Sequence, residues 1–195
     1  MIRPMTAPYL LVTGFGAFET VLDNPSGRLA EALNARPDVI GVRVPVTYGG
    51  VGDELQGILE GFAQAPAGIL AMGVHRGPNF RLEVQAGAVP PSARPDTDGV
   101  VSQIGPRALV ASGFDLAACE QTCQAVTTHP VYVSQDAGGY VCDFLYGIAL
   151  RRAQELGVQA LFLHVPPLDA VPFSDQEPVV QALVDELLAQ ARAGR

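Results

Sequence analysis

The chain has 195 residues, 48% of them hydrophobic and 16% charged, which suits one folded domain over residues 1–195 and excludes an intrinsically disordered chain. A formal charge of −8 with no compensating Lys/Arg run makes nucleic acid and anionic membrane surfaces poor partners. The start, MIRPMTAPYLLVTG, lacks an apolar run of signal-peptide length, nothing later reaches the ~18 apolar residues of a spanning helix, and three cysteines are too few for a disulfide framework, so the expectation is a soluble cytoplasmic protein with free thiols.

Tyr9 to Val12 reads as a buried strand that ends at the Thr13-Gly14 turn. Asn24-Pro25-Ser26 offers a turn and an N-cap, and Leu29, Ala30 and Leu33 recur at helical spacing, which predicts a helix from about Ser26 to Asn34. A strand over Val39–Val46, a helix from about Gly50 to Ala63 and a buried strand over Ile69–Met72 follow. Phe80–Val89 is read as a further strand and Pro90–Gly105, rich in Pro, Asp, Ser and Gly, as an irregular excursion. The remainder reads as a helix over about Asp115–Ala125, a strand over Val131–Ser134, a helix opened by Gly138-Gly139 and running to about Arg152, a strand over Ala160–Leu163 and a closing helix over Asp175–Ala191. This alternation predicts an α/β fold: a mixed, largely parallel sheet between helices, with ligands outside the carboxyl ends of the strands.

Cys142 falls in the first turn of the helix that follows the glycine pair, where the positive end of the helix dipole favours thiolate. It is a candidate nucleophile; the alternative is a small buried hydrophobe. His164 ends the strand Ala160–Leu163, where a base would stand, and is otherwise a structural histidine bonded to a loop carbonyl. Glu83 interrupts an apolar strand, either pointing into a pocket to orient those groups or facing solvent as a partner for Arg81. Phe15 and Phe18 follow the first strand and suit either a pocket wall or the core. Their loop carries neither a dinucleotide fingerprint nor a phosphate loop. Cys119, Cys123 and His129 lack a fourth ligand, so no metal or other cofactor is expected; His129 is expected to be exposed, and His75 to approach the same site as His164.

Taken together, Thr13-Gly14-Phe15 with Phe18, Asn24-Pro25-Ser26, Leu82-Glu83, Val133 to Asp143 and His164-Val165-Pro166-Pro167-Leu168 make the sequence resemble pyroglutamyl peptidase type I, or pyrrolidone-carboxylate peptidase, a family of cysteine peptidases. The resemblance covers nearly the whole chain. It implies a single-domain open αβα sandwich of phosphorylase/hydrolase-like type, a catalytic set of Cys142, His164 and Glu83, pyroglutamyl peptides as substrates and a homo-oligomer, dimer or tetramer. It implies aromatic pocket positions at Phe15, Phe18 and Tyr140, a recurring position at Asn24, and a functional arginine at Arg94. Where the family commonly has Gly-Gln-Ala-Gly-Gly-Arg, this chain has Gly73-Val74-His75-Arg76-Gly77-Pro78, one residue closer to Glu83, with Val74 on the pocket wall. Two rival readings are a degenerate relative that only binds a small molecule or peptide, and a nucleoside phosphorylase-like enzyme on a similar scaffold.

Overall fold

The structure, a computed structural model, describes residues 8–102 and 110–194. Its elements run β1 (Leu10–Phe15), α1 (Pro25–Leu33), β2 (Val39–Val44), α2 (Tyr48–Glu60), β3 (Gly68–Val74), β4 (Phe80–Glu83), β5 (Gln85–Ala86), β6 (Val110–Ala111), α3 (Leu116–Gln124), β7 (Val131–Ser134), α4 (Val141–Leu156), β8 (Gln159–Val165) and α5 (Phe173–Ala193). Six strands form one sheet in the order β2-β1-β3-β8-β4-β7, and β5 pairs with β6 separately. All pairings in the large sheet are parallel except β4 with β8.

Near-continuous apolar strands are what a sheet covered on both faces requires. One face packs Val12, Leu70, Met72, Leu161 and Leu163 against α1, α3 and α5. The opposite face packs Leu11, Ile69, Ala71, Ala160 and Phe162 against α2 and α4. Alternation along β8 therefore sends Leu161 and Leu163 one way and Phe162 and His164 the other.

The expected Phe80–Val89 strand is two strands. The chain leaves the large sheet after Glu83, and Gln85–Ala86 pairs instead with Val110–Ala111, an element without a sequence signal. The glycine pair does not open the following helix: Gly138 and Gly139 take φ of 88° and 63°, and α4 starts at Val141 with Tyr140 as N-cap. The excursion has no regular structure from residue 90 to 102; residues 103–105 lie outside the described residues, as do the first seven.

Asn24 explains how the first loop is held. Buried, it caps α1 by accepting from the Ser26 N–H at 3.2 Å and from Ser26 Oγ at 2.8 Å, while its Nδ2 donates to the Gly16 carbonyl at 2.9 Å. Ser26 Oγ in turn accepts from the Phe15 N–H at 3.0 Å. Asn24→Ala removes a cap and strands these partners, and should cost about 2 kcal/mol of stability, read as a lower urea midpoint at unchanged m-value.

Candidate active site

The carboxyl ends of β1, β3 and β8 and the start of α4 converge on a cleft of about 360 Å³, lined by Phe15, Phe18, Asn24, Val74, Arg94, Tyr140, Cys142 and His164 among others. Every expected pocket residue lines it. Glu83 lies behind His164, fully buried.

That placement follows from the direction of β4. Because β4 runs antiparallel to β8, Arg81 is paired with His164 at the level of the cleft and Glu83 with Phe162 one step further into the sheet. Residues paired in this way share a face, so the Glu83 carboxylate comes up beneath the imidazole. His164 Nδ1 and Glu83 Oε1 are 2.7 Å apart, and Tyr146 donates its hydroxyl to the Glu83 carbonyl at 2.8 Å, fixing the end of the strand. Glu83 is thus neither solvent-facing nor the partner of Arg81. Since an ionised carboxylate only accepts, Nδ1 carries the proton and Nε2 is left as the basic nitrogen.

Cys142 is the second residue of α4 and is half-buried. Its thiol turns inward toward β3: a Cβ on Gly73 would stand 2.7 Å from Cys142 Sγ and 3.0 Å from Phe162 Cζ. Glycine at position 73 is what leaves room for the sulfur. No hydrogen bond joins Cys142 to His164 among the described residues.

The helix start does not yield the expected thiolate. Burial first, then the charges of Glu83 and Asp143, push the Cys142 thiol from its ordinary value of 9.0 up to about 12. Such a rise disfavours thiolate by ~4 kcal/mol, against ~1 kcal/mol offered by a helix terminus. Burial wins, and the resting group is the neutral thiol. Asp143 is itself buried and accepts from the Gly87 N–H at 2.8 Å, tying the end of β5 to α4.

His75 reaches the cleft but spends both ring nitrogens on its own turn. Its ring centre is 5.8 Å from that of His164; Nδ1 accepts from the Gly77 N–H at 3.1 Å and Nε2 donates to the Asn79 carbonyl at 2.6 Å. Burial lowers its pKa to about 4, so it stays neutral.

On the opposite wall, Arg94 bridges the two loops at the mouth. Its Nε donates to Glu19 at 2.9 Å, Nη2 donates to the other carboxylate oxygen, and the guanidinium lies 4.8 Å from the Tyr140 ring centre and 5.8 Å from that of Phe18. Glu19, the one non-glycine residue with positive φ (45°) among those described, is the loop residue that holds it. Tyr140 donates its hydroxyl to the Pro95 carbonyl at 2.9 Å, binding the excursion to the wall.

Cys119 and Cys123 are buried core thiols, Cys119 against Gln190 and Cys123 against the Val179 carbonyl. His129 is half-buried, not exposed, because it packs beside Asp175, 3.7 Å away. Among the described residues no cluster of three or more His, Cys, Asp or Glu could hold a metal ion, and no helix is long and apolar enough to cross a membrane. Arg76 and Asp136 also line the cleft without a signal in the sequence, and so does Arg81, which the sequence offers as a partner for Glu83. A sharper signal for Arg81 was its spacing two residues before Glu83, which puts both on one strand face.

This architecture is that of the solved pyrrolidone carboxyl peptidases. The enzyme from Pyrococcus furiosus superposes with a TM-score of 0.84 at 21% identity over 94% of this chain and 99% of that one. The one from Thermococcus litoralis gives 0.79 at 21% identity, over 94% and 96%. A pyrrolidone-carboxylate peptidase of Deinococcus radiodurans is 30% identical across 94% of this chain and 96% of its own. The pyroglutamyl-peptidase 1 of Rattus norvegicus is 38% identical over 74 residues, which is 34% of its length. The profile of the pyroglutamyl peptidase family matches residues 9–193, and the chain belongs to that family.

The thiol's environment fixes its titration. Stability contributed by a neutral Cys142 is fully present below the unfolded thiol's pKa of about 9 and is lost as pH rises toward about 12. The thiolate absorbance of the wild type minus that of Cys142→Ala should therefore stay flat between about pH 6 and about pH 9 and rise only above that range. A difference signal that titrates near neutrality would contradict it.

Proposed function

We propose that this chain is a cysteine exopeptidase, an omega peptidase that hydrolyses the N-terminal pyroglutamyl residue from peptides, with Cys142 as nucleophile, His164 as base and Glu83 as the group that orients it. The observation that carries the reading is the buried 2.7 Å contact of Glu83 with His164, beneath a cleft that Cys142 shares with Phe15, Phe18 and Tyr140. Aromatic and apolar walls suit a small, flat, neutral lactam, and a free α-amine entering the same space would be a desolvated ammonium without a partner.

Because the resting thiol is neutral, attack is coupled to proton transfer. Sγ bonds to the pyroglutamyl carbonyl carbon as His164 Nε2 takes the thiol proton, and the imidazolium is stabilised by the Glu83 carboxylate. The oxyanion forms at the start of α4, where the N–H of Cys142 precedes the first intrahelical bond, that from Phe144 to the Tyr140 carbonyl, and has no acceptor of that kind. Collapse breaks the peptide C–N bond, with the proton passing from His164 to the leaving amine. Water, deprotonated by His164, then hydrolyses the thioester and releases pyroglutamic acid and the thiol. No cofactor takes part. Three free thiols suit a reducing cytoplasm, and a homo-oligomer, dimer or tetramer, is the assembly that the family resemblance implies. Each relative named above bears a peptidase name, which gives the degenerate-binder reading no support.

The reading is tested by release of a fluorescent amine from pyroglutamyl and alanyl reporters under reducing conditions. Selective release from the pyroglutamyl reporter is expected, with loss of at least ~1000-fold in kcat/KM for Cys142→Ala and for His164→Ala, and roughly 10- to 100-fold for Glu83→Gln. A folded wild type that releases nothing from the pyroglutamyl reporter would refute it.

A further inference from the structure

All twelve cationic side chains of the sequence are arginines, against twenty Asp and Glu. With carboxylates in surplus, most described arginines are paired: Arg28 with Asp23, Arg36 with Asp38 and Asp185, Arg43 with Glu31, Arg94 with Glu19 and Arg152 with Glu155. Four described arginines have no carboxylate partner. Arg151 and Arg192 lie on helices away from the cleft, but Arg76 and Arg81 both line it.

Arg81 is half-buried, stands on the strand position paired with His164, leans over the Tyr132 ring at 5.9 Å and has one hydrogen bond, a long one of 3.4 Å from Nε to Asn79 Oδ1. Arg76 is exposed at the rim of the same cleft. Each anion near these cations has a contact of its own. Glu19 holds Arg94, Glu83 faces His164 from below, and Asp136 accepts from the Gly138 N–H at 2.8 Å within its own turn. Guanidinium groups left with open donors beside a reacting centre are made for a carboxylate, which they bind through parallel N–H bonds.

Resting on the pyroglutamyl-peptidase reading, we infer that Arg81, assisted by Arg76, is a specificity determinant that selects pyroglutamyl peptides carrying a carboxylate on the leaving side. The lactam has no ionisable group, so the carboxylate belongs to the leaving part of the substrate. Two sources have this chemistry: an acidic side chain immediately after the pyroglutamyl residue, or the main-chain carboxylate of a pyroglutamyl dipeptide. Both cost the enzyme little, because one planar fork already present at the cleft recognises either.

Two isosteric substrate pairs separate the sources. Pyroglutamyl-glutamate α-amide against pyroglutamyl-glutamine α-amide reads the side chain; pyroglutamyl-alanine against its amide reads the main chain. Product release is followed by chromatography with wild type, Arg81→Gln and Arg76→Gln. The expected result is a kcat/KM ratio of roughly tenfold in favour of the charged member of at least one pair, reduced to about onefold to threefold in Arg81→Gln and by a smaller factor in Arg76→Gln. In the wild type alone, the ratio should also shrink as salt is raised from about 0.02 M to about 0.5 M, which keeps the inference testable if a variant does not fold. Ratios at or below one in both pairs, with the neutral substrates still cleaved, would overturn the inference and leave the activity standing. Failure to cleave any of the four would overturn the activity itself.

Discussion

A carboxylate with no exposure and a single hydrogen bond from an imidazole is costly to bury, and the architecture is arranged around making that contact possible. It depends on the direction of β4, which with β7 runs opposite to the other four strands. Were β4 parallel to β8, residues downstream of Arg81 would climb toward the cleft and Glu83 would stand beside His164 at the mouth, open to water. Running antiparallel, β4 buries the acid one step below the imidazole and leaves the arginine at the surface of the same face. Tyr146 from α4 secures the Glu83 carbonyl, so the helix that carries Cys142 also braces the strand that carries the acid.

The electrostatic state of the site follows from the same burial. The thiol is held against Gly73 and Phe162, with Glu83 and Asp143 adding negative potential, and burial outweighs the helix start. A neutral resting thiol suits an enzyme that moves a proton only when an acyl group is in place. His75 contributes no competing base, since both of its nitrogens are used and it remains neutral. Around this centre the polar groups of the walls are tied into the frame: Asn24 caps α1, Tyr140 holds Pro95, and Arg94 is locked to Glu19. Among the described side chains lining the cleft, Arg81 and Arg76 keep guanidinium donors without a carboxylate.

Much of this was legible in the sequence. The hydrophobic runs of β1, β3 and β8 and the helical spacings of α1 and α2 define an α/β sandwich, because strands covered on both sides must be apolar throughout. Cys142 and His164 were readable as a pair because each sits where such folds place chemistry, a helix start and a strand end. Glu83 was harder: a lone acid in an apolar strand reads equally as solvated, and only strand direction, a non-local property, decides between them. The split of Phe80–Val89 into two sheets was hidden for the same reason, since Val110–Ala111, its partner, carries no periodicity of its own. The helix start at Cys142 is visible in sequence, whereas the burial that raises its thiol pKa is not. Similarly, no run of basic residues marks Arg76 and Arg81 alongside Arg94; folding gathers them into one cleft.

On the proposed mechanism Cys142, and neither Cys119 nor Cys123, attacks the carbonyl of a pyroglutamyl group seated in this cleft. Labelling with a pyroglutamyl chloromethyl ketone under reducing conditions, followed by peptide mapping and residual activity, tests it most directly. The expected result is one equivalent on Cys142, none on the buried Cys119 and Cys123, and activity lost in proportion to labelling. Full labelling of Cys142 with activity retained, or inactivation with the label on another residue, would contradict it.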